Sequence, residues 1–281
     1  MNLFEQAQAH LKVYKLSEAL ECCEQFEDGE EKSKLRHRIL ACQEARNLWN
    51  ESYKQSLLGR DYILGLGRVY NRKDRGRNWT RATLKQNPDK YLEELTKAIA
   101  LIEKINVVDL FAEPPSNERE ILYMNINLIE PYLWRAEIYL DKGDYNKSIK
   151  DCTRVLDTIG LEMYGKFTAV IRAEAYLKKG CYDKAIEDCE SLMSGSRIYL
   201  WLMLCLICAE AYFEKAKASL QNGDCAGAKE YCNKALEVLN TNDWSQAWEL
   251  VTKRYSYEDS WDYIEYQKLE QLKVEIANFI S

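Results

Sequence analysis

An all-α solenoid of antiparallel helix pairs is the fold the sequence predicts, and three observations predict it. Turn formers are scarce, with 4 Pro and 12 Gly in 281 residues, too few for a sandwich or barrel of many short strands. Apolar residues make up 47% and are spread along the whole chain, which excludes general disorder. Finally, the middle of the chain repeats itself.

Arg135 begins RAEIYLDKGDYNKSIKDCTRVL and Arg172 begins RAEAYLKKGCYDKAIEDCESLM, which align without a gap. Tyr139 and Tyr176, Gly143 and Gly180, and Cys152 and Cys189 are each 37 residues apart. A third copy follows, with Tyr212 lying 36 after Tyr176 but Gly223 and Cys232 each 43 after their counterparts. The difference is an insertion of about seven residues, roughly two helical turns at 3.6 residues per turn, so the helix lengthens without rotating its buried face. A fixed period of this size is the mark of stacked helical units.

The other elements follow in chain order. Ala7, Ala19, Cys23 and Phe26 suggest a degenerate first copy, with Tyr14 where the later copies have Gly. Glu30 to Leu58 reads as one long amphipathic helix and Asp61 to Arg72 as a shorter one. After a loop through Asn78, Pro88 to Ile105 places Pro just inside a helix start and carries a 3.6-residue stripe. FAEPPSN (111–117) breaks the chain, and a helix runs from about Glu118 towards Leu140. Trp244 to Arg254 and Glu258 to Ile280 read as two closing helices without the period, as a soluble cap requires. The expected organisation is an irregular helical region over 1–117, three repeats over 118–240, and capping helices over 241–281. No Gly/Ser linker interrupts it, so one continuous solenoid is expected.

The period and the placement of Ala, Tyr, Gly, Tyr and Ala resemble the tetratricopeptide repeat, a helix–turn–helix unit of about 34 residues. The resemblance is strongest over residues 130–240. It implies a right-handed superhelix in which a small residue at position 8 faces another at position 20. Those positions match Ala136 with Ser148 and Ala173 with Ala185. In the third copy the second helix supplies Ala228 and Ala235. The family's aromatic at position 24 is Cys in all three copies, a departure of conserved apolar character.

On the first helix of such a unit, positions 2, 5, 9 and 12 form a stripe about 110° from the stripe at 4, 8 and 11. If the Ala/Tyr stripe is buried, the other faces a concave groove. Position 9 is Glu137, Glu174 and Glu210, position 12 is Leu140, Leu177 and Phe213, and position 5 includes Leu133 and Val170. A carboxylate row beside an apolar row suits an amphipathic peptide or helix carrying Lys or Arg. The alternative is that these carboxylates pair with neighbouring cations as solvated helix faces, for example with Arg135 or Arg172. Some members of the family clamp a C-terminal carboxylate with Lys, Asn and Arg. Glu at position 9 speaks against such a clamp here.

Basic charge gathers elsewhere. Between Arg60 and Arg81 seven basic residues, among them Arg72, Lys73, Arg75, Arg77 and Arg81, stand against Asp61 and Asp74, with Tyr70 and Trp79 interleaved. This pattern is compatible with phosphate tracking and base stacking, with docking on an acidic protein, or with a plain solvated loop. A net charge of −6 disfavours a general nucleic-acid binder.

Catalysis finds little support. GLGRVY lacks the third Gly of a dinucleotide fingerprint, no GxxxxGK loop occurs, and His10 and His37 have no nucleophile arrangement around them. Cys205 and Cys208 form a lone CxxC inside LMLCLICAEA, at most half of a structural zinc site, so no metal and no cofactor is expected. That apolar run, Ile198 to Ala211, is too short to span a bilayer. With no secretory leader in view and ten cysteines set in helical patterns, reduced thiols and a cytoplasmic location are expected. The expectation is therefore a non-catalytic adaptor or scaffold binding a partner protein in its groove. The alternatives are a nucleic-acid-associated adaptor using the basic segment and a self-assembling subunit, so a homo-oligomer stays open.

Overall fold

The computed structural model describes residues 2–25, 27, 29–66, 88–110, 118–160, 165–193, 198–240 and 261–280. Among these are eleven α-helices and one 3₁₀ turn, arranged as consecutive packed helix pairs. The all-α solenoid expected from the repeat is therefore the observed fold class. The chain forms two compact units, Met1–Ile138 and Tyr139–Ser281.

The first unit opens with α1 (Leu3–Lys12) and α2 (Leu16–Glu24). Asn2 caps α1 reciprocally: its Oδ1 accepts from the Glu5 N–H at 2.8 Å, and its own N–H donates to Glu5 Oε2 at 3.0 Å. Ala7, Ala19 and Cys23 are fully buried, and these small side chains let the two helices approach closely. Phe26, expected with them, lies outside the described residues.

The turn between the helices has the same backbone form as three glycine turns later in the chain. Tyr14 has φ +58°, against +80°, +83° and +79° at Gly143, Gly180 and Gly223. At all four sites this residue's N–H bonds three residues back, and the next N–H bonds five residues back: Lys15 to His10, Asp144 to Tyr139, Cys181 to Tyr176 and Asp224 to Ser219. That is the Schellman end of a helix. A left-handed backbone at a non-glycine residue costs roughly 1–2 kcal/mol. Tyr14 is held there by Arg46, whose guanidinium lies 3.8 Å from the ring centroid, and by a 3.4 Å bond from its hydroxyl to the Leu110 carbonyl.

Helix α3 (Glu30–Leu66) sets Leu35, Ile39 and Cys42 against the α1–α2 pair. It runs as a single helix where the sequence suggested a break near Leu58. Gly59 is the residue there that most disfavours helix, and an interior glycine costs about 1 kcal/mol without removing a backbone bond. Helix α4 (Pro88–Ile102) packs along α3 and buries Leu95, Ala98, Ile99 and Ile102, the expected stripe. A 3₁₀ turn (Val107–Leu110) follows, tied to α3 by a 2.7 Å ion pair between Asp109 and Arg38. Helix α5 (Glu118–Asp141) places Trp134 and Ile138 against Leu95.

The second unit takes up the last residues of α5 and continues through α6 (Tyr145–Ile159), α7 (Gly165–Lys179), α8 (Tyr182–Met193), α9 (Ile198–Gln221), α10 (Cys225–Leu239) and α11 (Trp261–Ile280). The closing helix expected at 244–254 lies outside the described residues. Helix α9 is the pivot of this unit. One face, Leu200, Leu204, Ile207, Cys208 and Ala211, joins the core of α7 and α8. The opposite face, Leu202, Cys205, Leu206, Ala209, Phe213 and Ala216, joins the core of α10 and α11. A helix apolar all round is a buried helix, and this accounts for the long apolar run. Among the described residues no helix is long and apolar enough to cross a membrane.

Candidate functional site

The residues expected to line a groove divide sharply. Leu140, Val170, Leu177 and Phe213 are 6%, 2%, 6% and 5% exposed, so the expected apolar row lies inside the protein and not on an open face. Val170 and Leu177 pack with Leu200 and Leu204 of α9, and Phe213 meets the edge of Phe279 at 5.3 Å. The reason is geometric: in stacked pairs each first helix also packs on the next first helix, and that contact takes up the side chains at positions 5 and 12. The carboxylates do keep solvent access. Glu174 and Glu210 are half-buried in the second unit, and Leu133 and Glu137 are half-buried in the first.

On α7 and α9 the open face is charged in both signs. Glu174 stands one turn before Lys178, whose Nζ lies 3.9 Å from Glu210 on α9, with both side chains nearly half exposed. One turn further along α9, Lys217 donates to Glu214 at 2.7 Å and lies 4.2 Å from the Phe213 ring centroid. Exposed pairs of this kind are worth about 0.2–1 kcal/mol, so they are readily traded for an incoming charge. The sequence reading missed Lys178 and Lys217, although their spacing from Glu174 and Phe213 on the same helices was the available signal.

Arg172 does something other than pair with the carboxylate row. Its guanidinium forks onto Asp188 of α8, with Nε to Oδ2 at 2.8 Å and Nη2 to Oδ1 at 2.7 Å, and its Nη1 reaches Thr153 Oγ1 of α6 at 3.4 Å. The side chains are 22% and 12% exposed. Burial works to lower the guanidinium's pKa, but the hydrogen bonds and charge of Asp188 outweigh it and the net shift is upward. One residue thus ties three helices together. In sequence the same Arg and Asp stand 16 apart at Arg135/Asp151, whereas the third copy has Lys215 and Tyr231 at this spacing.

Seven of the ten cysteines are buried packing residues. Cys152, Cys189 and Cys232, in the family's aromatic place, are all fully buried. Cys205 and Cys208 sit in two different apolar clusters, and burial pushes both thiols up to about 12, far from the thiolate that metal binding or redox chemistry needs. Among the described residues no three His, Cys, Asp or Glu side chains gather as a metal site. Arg72, Lys73, Arg75, Arg77 and Arg81 lie outside the described residues.

A family model described as the tetratricopeptide repeat matches residues 129–158 and 209–238. No curated protein matches the chain. The two segments have equal length, and read without a gap they place Ala216 where the first copy has Ala136, each seven residues before its turn glycine. This moves Glu210 and Phe213 from the expected positions 9 and 12 to positions 2 and 5 of the same stripe. The additional turns thus belong to the start of α9, which has 24 residues against 15 in α7. Ala216 and Ala228 are 0% and 4% exposed, as the close-packed pair of the motif requires. The matched segments, the repeated glycine turns and the buried small residues agree: the chain carries tetratricopeptide repeats at residues 129–158 and 209–238.

Proposed function

We propose that the open face of α7 and α9 docks a segment of a partner protein, and that the chain is a non-catalytic scaffold. Tetratricopeptide repeats generally mediate protein–protein interaction, and the family is typically a non-catalytic interaction module. The observation that carries the finer reading is the solvent-accessible row of Glu174, Lys178 and Glu210 on a scaffold whose core beneath is packed. A rigid face binds without an ordering cost of its own. Its carboxylates orient a peptide or helix bearing Lys or Arg, and charge complementarity sets specificity and on-rate more than affinity.

The test is affinity capture at about 50 and 200 mM salt, with and without nuclease, followed by a purified binding assay with the captured protein. Glu174→Arg and Glu210→Arg are expected to weaken that binding about tenfold each, a loss of roughly 1.4 kcal/mol. Unchanged affinity in both variants refutes the face as the site. Recovery of nucleic acid alone, lost at the higher salt through counterion uptake, replaces this reading with a nucleic-acid partner.

A further inference from the structure

We propose that the outward face of α6 and α8 docks a second copy of this chain, giving a weak two-fold dimer held by complementary charge. This lies apart from the open face of α7 and α9 and does not depend on it. Lys147, Lys150 and Arg154 are exposed at i, i+3 and i+7 on α6, which sets them in one basic stripe. On α8 the exposed Glu187 and Glu190 follow Asp183 as an acidic stripe. A single guanidinium, that of Arg172, reaches Thr153 of α6 at 3.4 Å and Asp188 of α8 at 2.7 Å, so the two stripes run on neighbouring helices. Among the described residues, Lys150, Arg154, Glu187 and Glu190 form no ion pair.

Two features single out a second copy as the occupant. Other exposed helix faces pair opposite signs one turn apart, as Glu30 with Lys34, Glu93 with Lys97 and Glu230 with Lys234. On α6 and α8 like charges are instead neighbours at i+3 and i+4, an arrangement that repels in the free chain and is relieved by an opposite face. The second feature is self-complementarity. Lys150 and Glu187 stand 37 residues apart, the period of the repeat, so they hold the same place on consecutive second helices with opposite sign. A two-fold axis running between α6 and α8, parallel to both, lays α6 of one copy over α8 of the other at unchanged height. Lys150 then meets Glu187 of the partner subunit, twice by symmetry, and Arg154 meets the partner's Glu190, one residue from the equivalent place. The remaining charges are engaged within the chain: Lys147 with Asp144 and Asp183 with Lys215, each at 2.6 Å, and Lys184 over the Tyr176 ring at 5.6 Å. Contact through exposed charge is small and wet, which places the dimer at the weak end of specific interfaces, with a Kd on the order of 100 μM.

Sedimentation equilibrium of the full chain, at concentrations several times that Kd, tests the proposal. At about 50 mM salt the wild type is expected to dimerise, and at about 500 mM to do so at least about tenfold more weakly, because exposed charges are screened. Lys150→Glu and Glu187→Lys each set like charges opposite one another twice, so each variant alone is expected to dimerise at least about tenfold more weakly than the wild type. Mixed in equal amounts, the two variants restore both contacts and should form a heterodimer about as tight as the wild-type dimer. Both positions are exposed, and circular dichroism checks that the variants fold. Glu174→Arg should leave dimerisation unchanged, which separates this face from that of α7 and α9. A wild type that stays monomeric, a dimer insensitive to salt, or a mixture no tighter than either variant alone overturns the proposal.

Discussion

Replacing Asp188 or Arg172 tests the tertiary lock of the second unit. Two charges about 4 Å apart attract by roughly 4 kcal/mol at an effective dielectric of 20. Exposed pairs realise about 0.2–1 kcal/mol, whereas breaking a buried pair costs roughly 3–5 kcal/mol because a charge is left uncompensated. With exposures of 22% and 12% and a bidentate geometry, the site lies near the buried end. Asp188→Ala and Arg172→Ala are each expected to lose about 3 kcal/mol, and a double-mutant cycle to give a coupling of about 2 kcal/mol. The apolar pair Arg172→Met/Asp188→Leu should recover most of the loss, since it leaves no charge behind. Urea unfolding followed by circular dichroism measures the energies, and hydrogen exchange of α7 and α8 checks that loss is local, because stacked repeats need not unfold in one step. A coupling below about 0.5 kcal/mol refutes the argument and makes the fork a surface pair.

The remaining predictions concern buried polar groups. Ser148 is fully buried, and its hydroxyl finds no hydrogen-bond partner among the described residues, while the second copy has Ala185 there. Ser148→Ala should therefore stabilise the protein by about 1 kcal/mol, and a loss of stability by urea titration refutes it. Cys205 and Cys208 titrate at about 12 in the folded chain against 9.0 unfolded. Raised acid pKa values give stability that is complete below pH 9 and is lost as pH climbs towards 12, on the order of 2 kcal/mol per thiol at pH 10.5. Cys205→Ala/Cys208→Ala should flatten that alkaline decline in a Tm-versus-pH series, and an unchanged slope assigns it elsewhere. In the native protein at pH 8 a thiol reagent should modify exposed Cys225 first and half-buried Cys22 and Cys181 more slowly. The seven buried cysteines should react only on unfolding, and rapid labelling of any of them shows that its helix opens.

The sequence by itself determined the helix pairs, the turns between them and the small residues where paired helices touch. These are local properties: a glycine seven residues after an alanine, or an apolar residue every third or fourth place, acts through the backbone within one or two turns. The turn after α1 follows the same rule, with Tyr14 adopting the left-handed backbone that glycine takes at the later turns. The tertiary structure alone decided which faces are covered and which stay open. Helix α9 has two apolar faces in its sequence, and a helical wheel does not show from which side the neighbours arrive. Burial of Val170 and Leu177 depends on α9, and burial of Phe213 depends on Phe279, 66 residues later in the chain. The same holds for Arg172: several carboxylates lay within reach of its long side chain, and only the packing of α7 against α8 selected Asp188, where two parallel hydrogen bonds form in a partly dehydrated site.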